Sequence, residues 1–154
     1  MKVGQDFFPK SSFLAVDKNL AHIIAKMLKN QRLCKLLKYT QKDCLKAKDL
    51  TYAEQLALLG DKIKIIPYIP ISDECPNYIL VTFNKFLPNH TNPEFRDFNI
   101  KIDIVCHPDH WNLGNFALRP YKIAGEIDAM LNGQKLTGIG KVEFAGADDL
   151  LLNE

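Results

Sequence analysis

Phe95-Arg-Asp-Phe-Asn-Ile-Lys-Ile-Asp-Ile-Val-Cys106, then His107-Pro-Asp-His110, then Arg119-Pro-Tyr-Lys-Ile-Ala-Gly-Glu-Ile-Asp-Ala-Met-Leu131, is the stretch that decides the fold class. Ile100, Ile102 and Ile104 alternate with Asn99, Lys101 and Asp103. Period-two placement of β-branched residues is what a strand with one buried face needs. Pro108 ends it, because proline has no amide hydrogen to continue a ladder. The spacing then predicts a helix from Arg119 with proline near its first position, closed by Asn132-Gly133, and a returning strand from Thr137 to Phe144. The unit carries no phosphate loop and no nucleophile motif. It reads as built for shape.

Working outward, Tyr78-Ile-Leu-Val-Thr-Phe83 predicts another strand, with Ile79, Val81 and Phe83 on one face. Lys62-Ile-Lys-Ile-Ile66 alternates briefly before Pro67 and Pro70 force an extended, edge-like exit. Pro88 to Pro93 is a turn-rich loop. Upstream, Asp17 is the expected N-cap of one helix over Lys18–Leu37. On it Leu20, Ile23, Ile24, Met27 and Cys34 share one side, and Lys18, His22, Lys26, Lys29 and Arg32 share the other. The positive run continues through Lys35, Lys38, Lys42, Lys46 and Lys48 as a turn and a short second helix. Thr51 and Glu54 then form a capping box for a helix ending at Gly60. Helices, three closely spaced strands, a helix and a strand make an α+β chain: a mainly antiparallel sheet flanked by helices, with an N-terminal basic amphipathic helix.

The 154 residues suit a single domain over 1–154, with an N-terminal arm over 1–14 and a C-terminal tail over 147–154. An apolar content of 47% and a charged content of 25% place it among folded globular chains. The first ten residues lack the apolar run of a signal peptide, and no stretch approaches the ~20 apolar residues of a membrane span. Synthesis in a cytoplasm is therefore expected. Cys34, Cys44, Cys75 and Cys106 are widely spaced and read as small apolar residues rather than a zinc or disulfide framework. The net charge of +2 hides a polarity: residues 1–70 carry 13 Lys/Arg against 6 Asp/Glu, and residues 71–154 carry 7 against 12. Opposite signs on two flanks fit ordinary solvation, head-to-flank self-association or nucleic-acid contact. Lys18, Lys26, Lys29 and Arg32 form the candidate cationic surface, although no aromatic residue interleaves with them for base stacking.

Two groups of residues invite chemistry. Cys106-His107-Pro108-Asp109-His110 packs four possible metal ligands into five residues, but His spacing across a proline turn fixes no common metal face. A polar turn at a strand end accounts for it. Asp109, Glu126, Asp128, Asp148 and Asp149, with Asp128-Ala-Met-Leu-Asn-Gly133, are superficially similar to small phage Holliday-junction resolvases, which bind magnesium through scattered aspartates. The Asp-x-Asp-Asn-x-x-Lys segment such an enzyme carries before the helix is missing. Glu126 and Asp128 also lie two apart on a helix and diverge. Lys122–Glu126 pairing on a solvated face is the plainer account of Glu126. Ser11-Ser12 lacks the Gly-x-Ser-x-Gly turn.

Pro67-Tyr-Ile-Pro70, Tyr78 to Phe83, Phe95 to Ile100, Cys106 to Trp111 and Arg119 to Asn132, followed by the Gly138-Ile-Gly-Lys141 strand, resemble tailed-bacteriophage head-to-tail connection proteins of the neck or tail-terminator-like kind. The resemblance covers about the C-terminal 90 residues. It implies a tail-terminator-like sheet flanked by helices, assembled as a homo-oligomeric ring round the genome exit channel. It further implies portal or connector and tail proteins as neighbours, non-specific contact with passing DNA, and a place in the virion neck. It implies no cofactor, metal, small-molecule ligand, membrane or enzymatic reaction. Phe7, Phe8 and Phe13 in the arm and Leu150, Leu151 and Leu152 in the tail are the candidate subunit-interface residues, since heterologous ring closure needs two unlike surfaces per copy. The alternatives are a metal-dependent junction or flap nuclease, and a nucleic-acid-binding module using the basic helix.

If Ile100, Ile102 and Ile104 face the core with Ile79, Val81 and Phe83, then Ile102→Asp places an unpaired charge against apolar neighbours. It should cost several kcal/mol, on the order of most of a domain's stability. Unchanged thermal melting of that variant by circular dichroism would refute the strand assignment.

Overall fold

Two long strands carry the sheet in the computed structural model, which describes residues 16–66, 77–92, 96–136 and 140–148. β2 (Asn77–Pro88) and β3 (Arg96–Cys106) run antiparallel, pairing Ile79 with Ile104, Val81 with Ile102 and Phe83 with Ile100. Directly opposed residues share a face. The six apolar side chains therefore point together toward α4 (Arg119–Leu131), whose Ile123, Ile127 and Leu131 are buried in the same cluster. Ile79 and Val81 are fully buried, whereas Ile100, Ile102 and Ile104 are only partly so, because β2 is the central strand and β3 lies at the sheet's edge. β1 (Ile63–Lys64) lies on the far side of β2 and runs parallel to it, pairing Ile63 with Ile79. The sheet is thus mixed at this short pair and antiparallel in the rest, within the α+β class that the pattern predicts.

The predicted single helix over Lys18–Leu37 is two helices. α1 spans Val16–Lys29 and α2 spans Gln31–Lys38. Asn30 separates them with extended backbone, and its side-chain oxygen accepts from Leu33 N at 3.1 Å as the N-cap of α2. Asparagine is among the strongest N-cap formers, so a new start costs little here. Cys34 bridges the break by donating its thiol to the Leu28 carbonyl at 3.3 Å. The helical period survives the interruption because both faces still turn inward: Ile23, Ile24 and Met27 are buried from α1, and Leu33, Cys34, Leu36 and Leu37 from α2. Asp17 lies in the first turn of α1, not ahead of it.

After a 3-10 turn at Cys44–Lys46, α3 spans Tyr52–Ala57. It ends earlier than Gly60, which follows in the left-handed region at φ +84°. The predicted capping box is present in both directions: Glu54 N donates to the Thr51 hydroxyl, and Thr51 N donates to Glu54 Oε2 at 2.8 Å. α4 runs over the predicted residues and stops at Asn132, with Gly133 at φ +71°. Of the predicted strand over Thr137–Phe144, residues 137–139 lie outside the described residues, and the strand that is seen is short. β4 (Lys135–Leu136) pairs with β5 (Gly140–Lys141), and Val142 adds backbone hydrogen bonds to Gln134 and Gly133 before regular pairing ends. Lys141 and Glu143 spend their charges on each other, and Phe144 stays exposed, so that segment has no continuous face to bury.

Glu54 also receives Lys38 Nζ at 2.6 Å. That hydrogen bond first, and those from Thr51 second, pull its carboxyl from the ordinary 4.5 down to about 2. A carboxylate more acidic in the fold than in the unfolded chain stabilises above its unfolded pKa and stops doing so as pH falls through its folded one. The contribution of Glu54 should be whole above pH 4.5 and fade toward pH 2. Glu54→Gln should remove that part of the acid dependence in melts taken across the window. An identical profile in the variant would refute it.

Candidate interaction surfaces

Arg119 opens α4 and is fully buried, with 0% of its surface exposed. A guanidinium stays charged in proteins and offers five donors in a planar fork. Here Nε donates to the His110 carbonyl at 2.7 Å. One terminal nitrogen donates to the Leu36 and Tyr39 carbonyls at 2.6 and 2.7 Å, and the other to Thr40 and Gln41 at 2.9 and 3.1 Å. No carboxylate pairs with it among these contacts. Leu36 and the residues after it form the C-terminal end of α2, where unpaired carbonyls carry the negative end of the helix dipole. The cation therefore caps α2 from α4. A charge on a helix-opening residue normally reads as solvated, which is why sequence reasoning does not single it out.

The same residue sets the loop between β3 and α4. Its backbone amide donates to the Trp111 carbonyl at 2.7 Å, and Trp111 Nε1 donates back to the Cys106 carbonyl at 2.9 Å. Asn112 and Leu118 form a bridge, and Leu113 N donates to Ala117 O at 2.9 Å. At the tip three consecutive residues are left-handed: Gly114, Asn115 and Phe116, at φ +84°, +48° and +59°. Glycine and asparagine adopt this readily, but for phenylalanine it is a strained choice. The result is a Phe116 ring wholly in solvent, at 106% relative exposure, on the rim of an open cleft of about 530 Å³ that Pro108, Trp111 and Leu118 also line. Tyr121 is exposed in the first turn of α4.

Tyr52, Leu56 and Leu59 make a second apolar surface. They are exposed at helical spacings of four and three along and just past α3, and Ile65 and Ile66 are exposed beyond β1. Spacing i, i+4, i+7 puts the first three on one face.

The predicted cationic set is divided. Arg32 is ion-paired to Glu126, and Lys26 Nζ donates to the Met130 carbonyl at 2.9 Å, so both tie the first two helices to α4. Lys18 and Lys29 remain exposed. Glu126 therefore pairs with Arg32 and Asn30 rather than with Lys122. In the His107–His110 turn, His107 caps by accepting from Asp109 N at 3.3 Å. Burial, with Arg119 second, pushes the His110 imidazole below its ordinary range. No group of three or more His, Cys, Asp or Glu side chains comes together to hold a metal among the described residues. Asp109, Asp128 and Asp148 are exposed on separate elements, and Asp149 lies outside the described residues. So do Phe7, Phe8, Phe13, Leu150, Leu151 and Leu152. No described helix is long and apolar enough to cross a membrane.

A family model described as YomW matches residues 30–154, taking in α2, the buried arginine with all five of its carbonyl partners, and the Phe116 loop. The chain belongs to the YomW family. YomW is a phage-associated family. No curated protein and no solved structure matches the chain. The YomW match begins at Asn30, the N-cap of α2, yet α1 ahead of it supplies Ile23, Ile24 and Met27 to the core.

Arg119→Met keeps the aliphatic stem and strips the carbonyls of their donors. It should cost roughly 3–5 kcal/mol, and Arg119→Lys, a point charge without the fork, should recover only part. Urea unfolding followed by circular dichroism tests this, and a methionine variant as stable as the parent would remove Arg119 from its structural role.

Proposed function

We propose that this chain is a structural protein of a tailed-phage virion, forming a ring in the neck that joins the head to the tail round the genome channel. The observation that carries the reading is Phe116. A hydrogen-bonded frame holds an aromatic residue in an unfavourable backbone conformation and presents it entirely to water. Strain of this kind, on the order of 1–3 kcal/mol, persists where the presented group has a use. A bare phenyl ring has packing as its use. The α3 surface gives each copy a second, different apolar patch, as heterologous closure requires. The surplus of positive charge in residues 1–70, +7, against −5 in residues 71–154 supplies attraction between unlike flanks, which sets order and register more than affinity. Membership of a phage-associated family supports the setting. Its partners in this reading are further copies of itself, the portal or connector, and tail proteins. The segments 1–14 and 147–154 clasp a neighbouring chain.

Phe116→Gly separates assembly from folding, because glycine accepts φ +59° and removes only the ring. The variant should melt no lower than the parent, yet should fail to form the ring seen by electron microscopy and light scattering. Deleting 1–14 and 147–154 together should leave a folded core that no longer attaches to the neighbouring neck component. A Phe116→Gly protein that assembles into infectious particles at normal yield would overturn the reading. So would magnesium-dependent cleavage of branched DNA that disappears on Asp128→Asn.

A further inference from the structure

The outer edge of β3 has a direction that can be read from the other side of the sheet. Ile79 N donates to Lys62 O at 2.8 Å, so the backbone of Ile79 turns toward β1. Alternation then turns Leu80 and Thr82 toward β3, where they oppose Asp103 and Lys101 as the hydrogen-bonded pairs. The N–H and C=O groups of Ile100, Ile102 and Ile104 must therefore point away from β2. β3 has no strand beyond it among the described residues. The next outward carbonyl, that of Cys106, is taken by Trp111 Nε1, which closes the open row at one end.

Folded proteins usually blunt such a row with a proline, a bulge or a surplus of charge, lysine above all. β2 is treated that way. β1 covers it as far as Leu80, and a register shift follows between Asn84 and Leu87, with Lys85 at φ +54°. β3 has no proline and no bulge along this row. Its register is unbroken from Asn99 to Cys106, and the two charges between its isoleucines, Lys101 and Asp103, bond each other at 2.8 Å.

We propose that this edge pairs with the same edge of a second copy, antiparallel, about a two-fold axis at Ile102. The segment Ile100-Lys-Ile-Asp-Ile104 is self-complementary. In this register Ile102 meets Ile102 of the second copy and exchanges both backbone hydrogen bonds with it. Ile100 meets Ile104 on the core side, and Lys101 meets Asp103 on the outer side, twice. Opposite charges directly across a strand pair attract, and like charges repel. A slip of two residues keeps the isoleucines on their face but sets Lys101 against Lys101, or Asp103 against Asp103. A slip of one turns the isoleucines out to water. The charges and the pleat together select one register. The pairing goes beyond ring closure, which uses unlike surfaces, and neither requires the other.

Charge exchange tests it on the full chain, read by sedimentation equilibrium in a Phe116→Gly background so that the loop surface does not contribute. The starting chain should dimerise. Asp103→Lys and Lys101→Asp, both on the solvent side of the sheet, should each weaken the dimer by about tenfold or more. An equimolar mixture of the two variants should restore it, because each lysine then again faces an aspartate. A starting chain that stays monomeric at every concentration overturns the proposal, and so does a mixture that gains nothing over its components. Should the variants fold poorly, amide exchange on the natural chain decides. The Ile102 amide should exchange roughly 100-fold more slowly at dimer-forming concentration than when dilute, and equal rates would overturn the pairing. Loss of the ring with retention of this dimer would count against the neck reading alone.

Discussion

A single buried cation joins the parts of this fold that the sheet does not. The Arg119 guanidinium has no exposure and no carboxylate among its bonded partners, an arrangement that would be ruinous if its donors were unmet. Five carbonyl oxygens and the end of the α2 dipole offset the loss of water. In exchange the end of α2, the start of α4 and the turn after β3 are fixed against one another. Besides the Tyr39 amide on Lys35 and the Cys44 amide on Gln41, the guanidinium is what meets the carbonyls of Leu36, Tyr39, Thr40 and Gln41, so the cation and the chain's course there support each other. The presented loop inherits its aim from the same residue through the Trp111 and His110 carbonyls.

From that anchored end the β2–β3 hairpin runs out of the core. Asn77 to Ile79 are buried, and Leu87 and Pro88 are exposed. Between them Phe83, Phe86 and Phe98 stack edge on or tilted, with ring centres 5.0 and 5.7 Å apart, and carry the apolar face beyond the reach of α4. Aromatic pairs hold a two-stranded ribbon together where no helix covers it. The molecule thus has a packed end, where polar groups are turned inward to carbonyls, and an outlying end, where strand groups are left facing outward.

Much of this was legible in the residues. The alternation of Ile100, Ile102 and Ile104, and of Ile79, Val81 and Phe83, gave the shared face of the main strand pair, because a slip of one would have put every isoleucine in water. Arg119-Pro120 and Asn132-Gly133 bracketed α4, and Thr51 with Glu54 marked α3. The break at Asn30 was hidden because the apolar period passes through it without a change of phase. The parallel course of β1 was hidden because two residues make no pattern of their own. Neither outlying surface was legible. Gly114-Asn115 announces a turn, but which way the next side chain points depends on a run of positive φ angles that only the closed frame imposes. Arg119 was the largest omission, since the carbonyls that bind it have no letter in a sequence.

The cysteine that spans the helix break has a bearing on how the chain meets oxidants. Cys34 and Cys106 both have their thiols pushed up to about 11, in each case by burial, and neither is in a disulfide. Oxidants and alkylating agents react with the thiolate. At neutral pH these two sulfurs hold almost none of it. Peroxide, dissolved oxygen or a disulfide would therefore react slowly at either position. A change from a reducing to an oxidising medium leaves little reason for these two sites to change their covalent state.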